Sequence, residues 1–184
     1  PHPQMSHPHP SPFLEAMKSQ GGVTGDYHGQ TLVRHFGDPR GEYEAATEAL
    51  AVFDRSHRTR LVVSGRSPRQ MLSGILTGTI PAPPAARGEG VLGGTATYHA
   101  VLTPKGKMLT DLCCLCRAEA DTGGDFLLDV PGAGRVGLLD HLRKVLPPRL
   151  AKVEDVTHAT ASLSVVGPAA ARHVSRLALE LRVD

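Results

Sequence analysis

The chain contains no tryptophan, and aromatic residues make up only 4% of it. A site built on several stacked rings is therefore hard to assemble from this chain alone. Cysteine is scarce as well: the three, Cys113, Cys114 and Cys116, crowd into a short stretch and build no disulfide framework. That usage points to a reducing compartment, the cytoplasm or an organelle interior. No apolar run approaches the roughly 20 residues of a membrane-crossing helix, and no apolar h-region opens the sequence as in a signal peptide. Charge of one sign is missing too: the formal net charge is +2, and Lys and Arg are scattered. Nucleic-acid binding, which calls for a basic stripe or patch, is not expected. What remains is a chain of 184 residues, 40% hydrophobic and 21% charged, expected to be soluble and long enough for one full domain with a real core and room for a partial second.

Residues 1–12 (PHPQMSHPHPSP) are rich in Pro and His and cannot build a core, so a disordered tail is expected there. His2, His7 and His9 would hold a metal only weakly from such a tail, and no metal site is assigned. FLEAMKSQ (13–20) predicts one or two helical turns stopped by Gly21-Gly22. GEYEAATEALAVF (41–53) places Tyr43, Ala46, Leu50 and Phe53 at helical spacing and predicts an amphipathic helix. TRLVVSG (59–65) predicts a strand. SPRQMLSGIL (67–76) opens a helix with Ser67 as N-cap and Pro68 at the first helical position. PAPPAARGEGVLGG (81–94) resembles a linker loop.

Two apolar strands hinged on Thr103-Pro104-Lys105-Gly106 follow, over roughly 95–116, then a polar loop over 118–124. DFLLDV (125–130) predicts a strand, GRVGLLDHLRKVL (134–146) a helix with Leu138, Leu139, Leu142, Val145 and Leu146 on one face. Segments 149–156 and 160–166 predict two more strands, and Gly167-Pro168 opens a last helix over 169–182. Helices among mostly hairpin-linked strands give an α+β fold with an antiparallel or mixed sheet.

Several groups invite a chemical reading. Asp54-Arg55-Ser56-His57 holds the residue types of a hydrolase triad, but triad members converge from separate elements. Asp54 and Ser56 are better suited to satisfying backbone groups at a junction. On a strand Cys114 and Cys116 face one side and Cys113 the other, so the three thiolates cannot meet one tetrahedral ion. Gly132 and Gly134 precede a helix without matching a phosphate-loop pattern. The remaining pair is Tyr98 and Asp111, on facing strands of one hairpin. A phenol and a carboxylate there can line one pocket and accept hydrogen bonds from an amine-bearing ligand. The alternative is that Asp111 lies in solvent at a sheet edge or pairs with Lys105, Lys107 or Arg117.

Phe53-Asp54-Arg55-Ser56, TRLVVSG, MLSGILTGTI, YHAVLTPKGKMLTDL and SLSVVGPAAARHV, in this order over about residues 30–184, resemble the first half of a folate-binding superfamily. It comprises the glycine-cleavage T-protein (aminomethyltransferase) and the YgfZ-type folate-binding proteins of iron–sulfur cluster maintenance. Beyond the tail that composition predicts over 1–12, the resemblance implies a T-protein/YgfZ-like domain over 13–184 that lacks the family's C-terminal half. It implies tetrahydrofolate as ligand, with Tyr98 lining its pocket. Asp111 would be the catalytic acid, steering protonation and stabilising a cationic methylene-folate by electrostatics.

The turn Pro104-Lys105-Gly106-Lys107-Met108 looks more like the YgfZ branch. Thr77-Gly78-Thr79 stands where T-proteins carry Thr-Asn-Asp, and Thr110 stands for the first acid of their Asp-Asp pair. The Lys-Gly-Cys-Tyr-x-Gly-Gln signature of the YgfZ second half is absent from these residues. The implied function is tetrahydrofolate binding of the YgfZ type, in iron–sulfur protein maintenance. A folate-dependent aminomethyltransferase and a ligand-free interaction scaffold stand as alternatives, so enzymatic activity is left open. The implied partners are a reduced folate and a protein partner or the C-terminal half, with no nucleic acid and no membrane.

Overall fold

The computed structural model describes residues 10–27, 30–88, 91–118 and 124–180. His2, His7 and His9 of the expected tail, and residues 119–123 of the polar loop, lie outside the described residues. The elements in chain order are α1 (Leu14–Ser19), β1 (Val23–Tyr27), β2 (Gln30–His35), α2 (Pro39–Glu48), β3 (Ala51–Asp54), β4 (Thr59–Ser64), α3 (Pro68–Ser73), β5 (Ala85–Gly88), β6 (Val91–Gly93), β7 (Ala96–Leu102), β8 (Met108–Ala118), β9 (Asp125–Val130), α4 (Arg135–Val145), β10 (Lys152–Asp155), β11 (Leu163–Val166) and α5 (Ala170–Glu180). The expected α+β class holds, and every described strand pair is antiparallel. No helix among the described residues is long and apolar enough to cross a membrane.

The chain divides into two compact units. One takes the residues up to His57 and those from Ala161 onward, and holds two two-stranded sheets, β1-β2 and β11-β3. The helix expected over 41–53 is corrected here. Asp38 caps α2 by accepting from the Gly41 N–H at 3.0 Å, the helix ends at Glu48, and residues 51–54 form β3. The cause is a partner far along the chain. The Ala49 carbonyl accepts from the Ala169 N–H at 3.0 Å, and β3 pairs with β11 from Leu163↔Asp54 to Val166↔Ala51. Local periodicity carries no information about that ladder.

The other unit, Arg58–Thr160, is built on a five-stranded sheet of order β10-β4-β9-β8-β7. β9 alternates without a break: Phe126, Leu128 and Val130 are buried, while Asp125, Leu127 and Asp129 are half-buried, as the two-residue period of a strand requires. Leu61, Val63, Val101, Leu112, Cys114 and Cys116 continue the buried face, and Leu72, Leu76, Leu138, Leu142 and Leu146 from α3, α4 and their ends cover it. Two local expectations change. Within the 81–94 loop, β5 and β6 pair as a short antiparallel hairpin, which the glycine-rich composition concealed. On α4, Val145 is exposed while Leu138, Leu142 and Leu146 are buried.

Two polar fastenings hold β10 and its following loop in this unit. Arg60 is buried and donates to the carbonyls of Thr157 (2.6 Å) and Thr160 (3.0 Å) and to the Thr160 hydroxyl (2.8 Å). Arg135 Nε donates to Asp155 Oδ2 at 2.7 Å. Burial pushes the Asp155 carboxyl up, but hydrogen bonds from Thr157 and the Arg135 guanidinium outweigh it, and the net shift is downward. A carboxyl held below its unfolded value contributes stability above the unfolded pKa, about 3.9 for aspartate, and loses it as pH falls through the folded value. Denaturation midpoints are therefore expected to fall more shallowly below about pH 4 in Asp155→Asn than in the wild type. Equal acid limbs would show that this carboxylate does not titrate against folding.

Candidate functional site

Tyr98 and Asp111 come together as expected, and the register explains how. β7 and β8 pair with Tyr98 opposite Cys113 and Ala100 opposite Asp111. Strand alternation then puts His99 and Val101 into the core and Tyr98 on the outer face, while Leu112 and Cys114 point in and Asp111 and Cys113 point out. The turn closes with the Thr103 N–H donating to the Lys107 carbonyl (2.8 Å) and the Gly106 N–H to the Thr103 carbonyl (2.9 Å). Gly106 sits at φ 75°, a left-handed conformation that glycine adopts without steric cost.

Across the ladder the Tyr98 hydroxyl donates to Asp111 Oδ2 at 2.5 Å. Tyr98 is 70% exposed and Asp111 is half-buried. The acid is thus not sealed inside the apolar strand, as its neighbours in sequence suggest; it stands on the open face. Among the described residues no ion pair joins it to Lys105, Lys107 or Arg117. The phenol is pushed up from its ordinary value, chiefly because Asp111 accepts its hydrogen. Tyr98 is therefore a neutral donor at physiological pH, and it leaves the remaining lone pairs of the carboxylate free to accept from a ligand.

Behind this face, the hairpin is anchored through β7. The buried His99 contacts the Thr97 hydroxyl through Nε2 at 2.6 Å and the Thr77 carbonyl through Nδ1. Thr77 returns two bonds, its hydroxyl accepting from the Ala100 N–H (2.8 Å) and its N–H donating to the Ala100 carbonyl (3.1 Å). Those contacts fix the strand that carries Tyr98.

The other candidates resolve into structure. Asp54 Oδ1 accepts from the Ser56 N–H at 2.8 Å, and the Ser56 hydroxyl accepts from the Ser162 N–H at 3.2 Å. His57 meets Tyr27 edge to face at 5.4 Å. This tetrapeptide ties the β3–β4 junction to the segment before β11. Cys114 and Cys116 are buried and Cys113 is half-buried; burial pushes the Cys114 thiol up to about 12, so it stays protonated. No group of His, Cys, Asp or Glu among the described residues is arranged to hold a metal. Gly134 lies so close to Thr110 that a Cβ there would run into the threonine hydroxyl, which accounts for the glycine by packing.

Two residues of the outer face were not anticipated. Arg58, just before β4, donates from Nε to Asp129 Oδ2 at 2.7 Å and from Nη2 to the Asp129 carbonyl at 3.2 Å. Asp129 lies opposite Cys113, which lies opposite Tyr98. The signal was present in DFLLDV, where a two-residue period puts Asp129 on the face away from Phe126 and Leu128.

Comparisons with known proteins fit this architecture. A family model described as "GCVT N-terminal domain" matches residues 13–184. The chain is similar to an aminomethyltransferase of Bacillus subtilis, 29% identical over 109 residues that cover 59% of this chain and 28% of the relative. It is also similar to one of Rubrobacter xylanophilus, 26% identical over 162 residues covering 88% of this chain and 40% of the relative. The crystal structure of glycine cleavage system aminomethyltransferase T from Bartonella henselae superposes with a TM-score of 0.71 at 19% identity, covering 88% of this chain and 41% of that one. The chain thus spans less than half the length of the proteins it matches here.

Proposed function

Because the chain belongs to the GCVT N-terminal domain family, we propose that the Tyr98–Asp111 face binds tetrahydrofolate and serves aminomethyl transfer as part of an aminomethyltransferase. The observation that carries this reading is the 2.5 Å hydrogen bond that poises Asp111 beside an exposed phenol. The residues fit such a ligand. Asp111 offers acceptor lone pairs to ring N–H groups, and the Tyr98 ring offers an apolar surface with a polar tip. Bound there, the folate would supply the nitrogens that receive the one-carbon unit. Asp111, half-buried on this face, directs its acceptor oxygens at positive charge that develops next to it. The neutral Tyr98 hydroxyl fixes which carboxylate oxygen stays open.

The relatives reported above are aminomethyltransferases, which favours this reading over the YgfZ type. The latter is supported by the Pro104-Lys105-Gly106-Lys107-Met108 turn alone.

The test is anaerobic calorimetric titration of tetrahydrofolate into the wild type, Tyr98→Phe and Asp111→Ala. Saturable binding by the wild type is expected, weakened about tenfold or more in Asp111→Ala, the loss of a hydrogen bond to a charged acceptor, and less in Tyr98→Phe. Equal affinity in the wild type and Asp111→Ala would place the ligand elsewhere. No binding by the wild type would mean that this face does not hold tetrahydrofolate by itself.

A further inference from the structure

Resting on that folate reading, we infer that Arg58 is a ligand-binding residue of the same face, donating to an acceptor oxygen of the ligand, and that Asp129 is its positioning residue. Asp129, Cys113 and Tyr98 lie in one row across β9, β8 and β7, with neighbouring strands about 4.8 Å apart. Asp111 is one step diagonal to that row and bonded to Tyr98. On β4 the row continues to Arg60, and Arg58, two residues earlier, reaches Asp129 from the diagonal with a side chain 17% exposed. Its Nε and one Nη2 hydrogen are taken by Asp129. The guanidinium has five N–H donors, and the others have no partner among the described residues, yet none of its nitrogens is a buried unpaired atom. The outer nitrogens are therefore not sealed in the protein, although the side chain as a whole is mostly buried.

The pairing also explains why Asp129 is there. Its Oδ1 is buried without a hydrogen-bond partner among the described residues, an arrangement that is unfavourable unless the carboxylate does something else. Here Oδ2 and the main-chain carbonyl of the same residue hold the guanidinium along its Nε–Nη2 edge. An arginine so oriented presents its free edge as a fixed donor fork. The face then has an acceptor at Asp111 and a donor at Arg58, separated by the half-buried Cys113. A ligand that matches both carries an N–H group and, beyond it, a carbonyl or carboxylate oxygen. Arg58 also acts on Tyr98, its positive charge opposing the upward push from Asp111.

The experiment titrates tetrahydrofolate into wild type, Arg58→Gln and Asp129→Asn, at low and high salt, with a thermal melt of each. Arg58→Gln is expected to weaken binding about tenfold or more, with Asp129→Asn intermediate because the guanidinium remains but is no longer held. Arg58→Lys, which keeps the charge and loses the fork, should fall near Arg58→Gln. If the oxygen is a carboxylate, the ratio between wild type and Arg58→Gln shrinks at high salt; if it is a ring carbonyl, the ratio stays constant. Both results support the assignment and identify the group.

Wild-type affinity in Arg58→Gln, in a wild type that binds and responds to Asp111→Ala, overturns this inference and leaves the folate reading standing. A wild type that binds no folate overturns both. If Arg58→Gln melts much lower, Arg58→Lys decides: full binding by a folded Arg58→Lys shows that the fork is not read by the ligand.

Discussion

Phe126→Ala is expected to lower the unfolding free energy by about 3–5 kcal/mol, measured as a fall in the denaturant midpoint. Phe126 is fully buried at the middle of the sheet, opposite Val63 on β4 and Cys116 on β8. The Arg69 guanidinium lies 5.2 Å from its ring centroid, a cation–π contact that is lost with the ring. Alanine leaves a hole that close-packed neighbours fill only in part. Against a total stability of about 5–15 kcal/mol for an ordinary domain, that loss is large. The adjacent Leu127 points to the other face and is half-buried, so Leu127→Ala should cost distinctly less. Equal losses at 126 and 127 would contradict the alternation that also sets Asp129 on the outer face.

Gly167→Ala is expected to destabilise the unit containing β3, β11 and α5 by about 2–6 kcal/mol, from backbone strain of about 1–3 and crowding of about 1–3. Gly167 has φ +111°, where a Cβ is disfavoured whatever surrounds it. A Cβ there would also stand 2.5 Å from the Ala49 carbonyl oxygen. That oxygen cannot retreat freely, because it holds the Ala169 N–H at 3.0 Å and marks the end of α2. Near-ultraviolet and far-ultraviolet melts of Gly167→Ala would register the loss. A melt matching the wild type would mean that the backbone at 167 relaxes without strain.

Local pattern was enough for much of this architecture. The alternation in LVV, LCCLC and FLLDV marks strands with one face inside, because a strand turns successive side chains to opposite sides. Pro68 and Gly21-Gly22 mark where helices begin and stop. The pairing of Tyr98 with Asp111 was also legible, since a short turn fixes the register of a hairpin and with it which residues share a face.

The sequence by itself determined that α+β alternation, the hairpin, its two candidate site residues and the family to which they belong. Tyr98 reaches Asp111 because the β7–β8 register sets Asp111 and Cys113 on the same face as Tyr98. Tertiary structure alone decided the rest. Residues 51–54 became a strand instead of the end of a helix because β11, more than a hundred residues later in the chain, supplied their hydrogen bonds. Arg58 met Asp129 because β4 lies beside β9 in the sheet. Each of these depends on a partner distant in sequence, and hydrogen bonds and ion pairs of that kind form only once the chain has brought the two segments together.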